Sequence, residues 1–257
     1  MTIALDISDG VAVLAFNRPD AGNGINLEFG KDLRSAAKEV AADPSVRSVL
    51  IRGNGKNFCV GGDVKHFATL GDGITRGLRE LADLLHESVL IVHGLTVPVV
   101  VAVQGNAAGA GMSLALLGDI CLAAQSARFR LAYTAIGLTP DGGGSWMLPR
   151  LVGPRIAADL ALTNRMLDAD DAHRIGIVSR VIEDDALQTE AEALVQQLAD
   201  GPAGAFAATK RLLAASPTAT FEDQLERESI SISTRAGEPE GQEGIAAFVA
   251  KRPPKFR

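Results

Sequence analysis

The chain has 257 residues, 47% of them hydrophobic and 22% charged, the balance of a soluble globular protein rather than a disordered, collagen-like or disulfide-framed one. Lys plus Arg number 25 against 31 for Asp plus Glu, so the net charge is -6 and the pI near 5.3, which argues against non-specific nucleic-acid or membrane-surface binding. Two cysteines, Cys59 and Cys121, are too few for a disulfide framework and fit a reducing cytosol, and aromatics at 4% leave a core of Ala, Val, Leu and Ile.

The N-terminus, Met1 to Ile7, has no basic segment followed by an apolar run, so no targeting segment is expected. Ile3, Leu5 and Ile7 alternate, Asp9-Gly10 supplies a turn, and Val11, Val13 and Ala15 alternate again, which predicts a β-hairpin. Asn26 can cap a helix from about Leu27 to Ala42, with Leu33, Ala36, Ala37 and Val40 on one face. Val46 to Ile51 reads as a strand, and Ile74 to His93 as a long amphipathic helix. The longest apolar run, Val97 to Val103, is interrupted by Pro98 and is far too short to span a bilayer, so a buried strand over Val99 to Val103 is expected. A loop over Gln104 to Gly111 leads into a helix over Met112 to Leu117, and Ile120 to Ala124 is a further strand. A short extended piece over Arg128 to Leu131, a glycine-rich turn over Gly137 to Gly144, a helix containing Trp146 and Leu148, and a strand over Val178 to Ile182 follow. From Ala186 onward the pattern is helical, and the composition shifts near Gly201-Pro202. Alternating strands and helices predict an α/β fold with parallel pairing. The division expected is a core over residues 1–200 and a helical region over 201–257.

No metal site is expected: His66, His86, His93 and His173 form no HxxxH pair and neither cysteine lies in a CxxC. No phosphate-loop, dinucleotide or GxSxG signature occurs. Cys59 near His66 reads as a small buried hydrophobe rather than a nucleophile. Two junctions, Asn57 to Asp63 and Gly105 to Gly111, place small residues and exposed N–H groups at helix starts, where negative charge is favoured. Two N–H groups meeting on one oxygen would form an oxyanion hole. Either loop alone is better explained by glycines serving tight turns. Asp141, before Gly142-Gly143-Gly144, is either a helix cap or a carboxylate in a cleft, and alone the cap explains it better.

Taken together these segments resemble one family, the enoyl-CoA hydratase/isomerase or crotonase superfamily. The resemblance runs from Asn17-Arg18-Pro19 through Phe58 to Asp63, Gly105 to Gly111, Leu114-Ala115 and Gly118-Asp119-Ile120 to Glu243 to Phe248 and Lys251-Arg252. It implies a spiral of ββα units with a helical C-terminal region that builds a homotrimer or a dimer of trimers. It implies an acyl-CoA thioester as substrate, with no cofactor beyond that coenzyme A, no nucleic-acid or membrane partner and a cytoplasmic location. It places the oxyanion-hole amides at Val60 and Ala110, beside Gly61 and Gly109, with Phe67 shaping the acyl pocket and Lys251 at a CoA phosphate. Hydratases of the family carry two glutamates, at positions held here by Ser113 and Tyr133. Neither is a competent base at neutral pH, since an unperturbed Tyr titrates near 10. Asp141 is the acid that remains, and Gly137 to Arg150 most resembles the ring-epoxyphenylacetyl-CoA isomerases. A single carboxylate suits a 1,3-proton shift, with Trp146 or Leu138 as an apolar wall and Ser113 and Tyr133 as substrate contacts. The expected activity is therefore an acyl-CoA isomerase. The alternatives are an enoyl-CoA hydratase and a non-catalytic acyl-CoA-binding subunit.

Overall fold

The computed structural model describes all residues, 1–257. Strands β1 (Ile3–Ser8) and β2 (Val11–Phe16) form the expected hairpin, and Asp9 and Gly10 both take the positive φ of a tight turn, at 50° and 82°. Helix α1 (Leu27–Ala42) starts at Asn26, whose side chain accepts the Phe29 amide. Strand β3 (Ser48–Gly53) begins two residues later than its apolar run, because its partner β2 begins at Val11, opposite Ser48. Helix α2 (Val64–Ala68) starts where the Asn57 to Asp63 junction placed a helix start and is capped by Asp63, and α3 (Ile74–His93) packs across α1.

Strand β4 (Val99–Val103) is buried along its whole length. The glycine-rich stretch after it is not all loop: it holds strand β5 (Asn106–Ala108) before α4 (Ala110–Ala115). Strands β6 (Ile120–Ala124) and β7 (Arg128–Arg130) follow, then α5 (Gly144–Val152) and α6 (Pro154–Thr163). The two-residue β8 (Leu167–Asp168), α7 (Ala169–Arg174), β9 (Arg180–Ile182) and α8 (Leu187–Ala199) complete the α/β part.

The main sheet runs β1-β2-β3-β4-β6-β9, parallel after the first hairpin. A parallel sheet is covered on both faces, which explains the unbroken Val-rich run of β4. Phe16 packs between Phe29 and Phe58, with ring centroids 5.2 and 5.1 Å apart. A second sheet, β5-β7-β8, is joined to the loop after β3 by a parallel bridge between Cys59 and Ala107. That bridge carries the loop after β3 to the start of α4.

Helices α9 (Ala203–Ala215), α10 (Phe221–Gly237) and α11 (Pro239–Val249) form the C-terminal part. Lys210 ties α9 back to the core, reaching Asp119 at 2.6 Å and the Val97 carbonyl at 2.8 Å. Phe206 and Leu212 are half-buried within the chain, whereas Leu213 is exposed. No helix is long and apolar enough to cross a membrane.

Candidate active site

The two glycine-bearing loops meet backbone to backbone. Phe58 N–H donates to Gln104 O, Cys59 N–H to Asn106 O, and Ala108 N–H returns to Cys59 O at 2.9 Å. Gly61 sits at φ 95°, and a Cβ there would lie 2.7 Å from the Ala108 carbonyl oxygen. Only glycine permits that approach.

The expected donor Val60 is not available. Its N–H already donates to the Gly22 carbonyl at 3.0 Å, so the pair Val60 and Ala110 does not form an oxyanion hole. The unspent amide lies two residues on, at Gly62. Ile25 N–H bonds Gly61 O at 2.8 Å and Asp63 N–H bonds Ile25 O at 2.9 Å, making a parallel bridge centred on Gly62. In such a bridge the flanking residues make the bonds and the central residue's own groups face away. The Gly62 carbonyl accepts from Val64, but its N–H finds no acceptor. Ala110 is the first residue of α4, so its N–H is one of the orphan donors of a helix start. Val60, Gly61, Gly62, Gly109 and Ala110 all border one cavity.

That cavity has a volume of about 350 Å³, and 13 of its 18 lining residues are hydrophobic. Ile25, Phe67, Leu78, Leu81, Leu85 and Leu138 supply apolar wall, so Phe67 stands where the acyl-pocket expectation put it. Asp141 and Tyr133 are in the lining and Ser113 lies behind them, fully buried. Tyr133 O–H donates to Asp141 Oδ1 at 2.6 Å, and Ser113 Oγ lies 3.2 Å from the same hydroxyl. Burial, the adjacent Asp141 charge and its hydrogen bond push the Tyr133 phenol well above its ordinary pKa. Asp141 is not a cap: the N-cap position of α5 is Gly143, and no side chain caps the helix. Gly142 and Gly143 take φ 59° and 81°, turning the chain so that the Asp141 carboxylate is released from the helix end.

His86, which sequence reasoning passed over, holds this turn from the other side. Its Nε2 accepts the Gly142 N–H at 3.1 Å from α3, the helix that also carries Leu78, Leu81 and Leu85. An isolated histidine in an amphipathic helix gave no signal, since its partner is a backbone amide 56 residues away.

Two expected contacts lie elsewhere. Trp146 does not line the cavity: Met147 and Leu148 take the buried side of α5, and Trp146 turns outward beneath the Arg150 guanidinium, 3.8 Å from its ring centre. Lys251 is exposed in the turn after α11, at φ 52°, and is also outside the cavity lining. Cys59 is fully buried, its thiol pushed up to about 12 by desolvation and bonded to Asn23 O, so it is no nucleophile. Asp63 caps α2 through the His66 amide and pairs with Arg18 at 3.2 Å. Burial works against it, yet these bonds and the Arg18 charge hold its carboxyl below the usual range. No group of three or more His, Cys, Asp or Glu side chains is placed to hold a metal.

The enoyl-CoA hydratase/isomerase family matches residues 6–257. The chain belongs to that family. A Rhodobacter capsulatus protein named "Probable enoyl-CoA hydratase" is 37% identical, over 99% of this chain and 97% of its own. The 1,2-epoxyphenylacetyl-CoA isomerase of Escherichia coli is 36% identical, over 97% of this chain and 96% of its own. The crystal structure of an enoyl-CoA hydratase from Polaromonas sp. JS666 superposes with a TM-score of 0.93 at 31% identity, covering 99% of each chain. The fold is thus the crotonase fold, and the protein is an enzyme of a family that hydrates or isomerises acyl-CoA thioesters. Hydratase and isomerase names both occur among the relatives.

Proposed function

We propose that the protein is an acyl-CoA isomerase that shifts a double bond, or rearranges a ring epoxide, through a thioester enolate. The observation that carries this reading is that Asp141 is the one carboxylate bordering the cavity that holds the unspent Gly62 and Ala110 amides. The thioester oxygen sits between those two N–H groups. Asp141 removes the proton next to the thioester carbon, and the negative charge moves onto the oxygen, where the amides and the start of α4 stabilise it. The same carboxyl then delivers the proton two carbons further along, which completes a 1,3-shift without water or cofactor.

Hydration needs a second acid–base group to manage the water. Its two places in the family hold Ser113 and Tyr133, whose hydroxyls are engaged with each other, Tyr133 also donating to Asp141. This argues against the hydratase alternative. Assaying the purified full chain with 3-enoyl-, 2-enoyl- and epoxyphenylacetyl-CoA tests the reading. Turnover of a 3-enoyl or epoxide substrate with little hydration of the 2-enoyl thioester is expected. Brisk hydration would favour the hydratase, and acyl-CoA binding without turnover of any would favour the non-catalytic subunit.

A further inference from the structure

The two oxygens of Asp141 are not equivalent. Oδ1 accepts the Tyr133 hydroxyl at 2.6 Å, and no protein group donates to Oδ2. A deprotonated carboxylate only accepts, so when Asp141 is in its basic form Tyr133 must be the donor. The Tyr133 oxygen then accepts from Ser113, 3.2 Å away, whose hydroxyl has no other partner. The hydroxyl chain therefore has one direction, from Ser113 through Tyr133 to Oδ1. Its outer end, Ser113, is completely buried behind the cavity wall.

We propose that Tyr133 is a positioning residue that anchors Oδ1, so that Oδ2 alone carries the migrating proton in both directions. This rests on the isomerase reading above and adds which oxygen works and where the proton goes. In the first half-step the α-carbon–hydrogen bond breaks, the proton bonds to Oδ2, and the electron pair is delocalised onto the thioester oxygen. In the second the electrons return through the dienolate to the γ-carbon, which takes that proton back from Oδ2. Tyr133 stays a neutral donor throughout, because burial and the neighbouring carboxylate oppose its ionisation. The anchored carboxyl does not rotate to present its proton to water, so the hydrogen removed is the hydrogen returned.

The test is isomerisation of trans-3-octenoyl-CoA in D2O, with deuterium at the γ-carbon of the 2-enoyl product read by mass spectrometry. Wild type should return mostly protium. Tyr133→Phe should raise γ-deuterium severalfold and lower kcat about tenfold with KM little changed, as expected for a lost hydrogen bond to a charged group. Wild-type deuterium content in Tyr133→Phe, or full exchange already in wild type, would overturn the proposal. Should Tyr133→Phe not fold, Ser113→Ala removes only the outer donor. A smaller rise in deuterium then supports the chain, and an unchanged value overturns it. A wild type that isomerises no 3-enoyl-CoA overturns the isomerase reading as well, whereas exchange results overturn this inference alone.

Discussion

At the residue scale, the proposed reaction uses groups that the surrounding chain leaves unspent. Asp141 escapes capping duty because two left-handed glycines separate it from α5. Asp141→Asn keeps the shape and the Tyr133 contact but removes the base. Isomerisation should fall about 10²–10⁴-fold while acyl-CoA binding persists, measured by turnover and by titration calorimetry. Full retained activity would rule out a one-base shuttle. Ala110 allows a complementary test, because a helix's first residue tolerates proline. Ala110→Pro deletes one N–H and should cost about 10²–10³ in kcat with an unchanged circular dichroism spectrum. The thiols make a third prediction. Cys59 and Cys121 are buried, both pushed up to about 12 by desolvation, so neither should react with a thiol reagent until the protein unfolds. Rapid labelling of native protein at either site would contradict this placement.

At the scale of elements, the parts that sequence made legible are those set by local pattern. The Asp9-Gly10 hairpin, the Asn26-capped α1, the amphipathic α3 and the Val-rich β4 each follow from period or turn chemistry. What stayed hidden depends on long-range pairing. β5 has only three residues and exists because β7 lies beside it, and the bridge that frees Gly62 depends on Ile25. The motif over Phe58 to Asp63 marked the right loop but not which of its amides is spent, because Gly22 is the acceptor that decides it. Asp141 was singled out through the family resemblance, since its own surroundings in sequence suggested a cap, and its escape from capping required the backbone angles. Trp146 was misplaced because the buried face of α5 is chosen by Met147 and Leu148. The loop contact itself predicts a stability effect. Gly61→Ala forces a side chain into a left-handed position 2.7 Å from the Ala108 oxygen. Strain of that kind costs about 1–3 kcal/mol, so the denaturant midpoint should drop, and turnover with it as Gly62 shifts. A midpoint equal to wild type would mean that the loops separate readily.

At the scale of the whole molecule, the C-terminal helices leave several large apolar side chains exposed to solvent. Phe221 is 79%, Ile232 72%, Phe248 85% and Val249 76% exposed, and α10 buries no residue at all. Lys210 anchors α9 to the core, and the Glu240 carboxylate of α11 accepts the Gly204 amide of α9. The uncovered large apolar residues lie on α9 (Leu213), α10 and α11. Several exposed large apolar side chains on one set of helices point to an interface, since each one left in water rather than buried costs about 1.5–3 kcal/mol. We read residues 201–257 as the oligomerisation region, consistent with the trimer or dimer of trimers that the family resemblance implies. Sedimentation of the full chain should therefore give a species of three or six times 26.8 kDa. Ile232→Glu with Phe248→Glu places two charges where an interface would bury them, and should shift that species toward the monomer while circular dichroism stays native. A wild type that sediments only at 26.8 kDa would mean that these helices remain open to solvent, and the region would then need another partner for its apolar face.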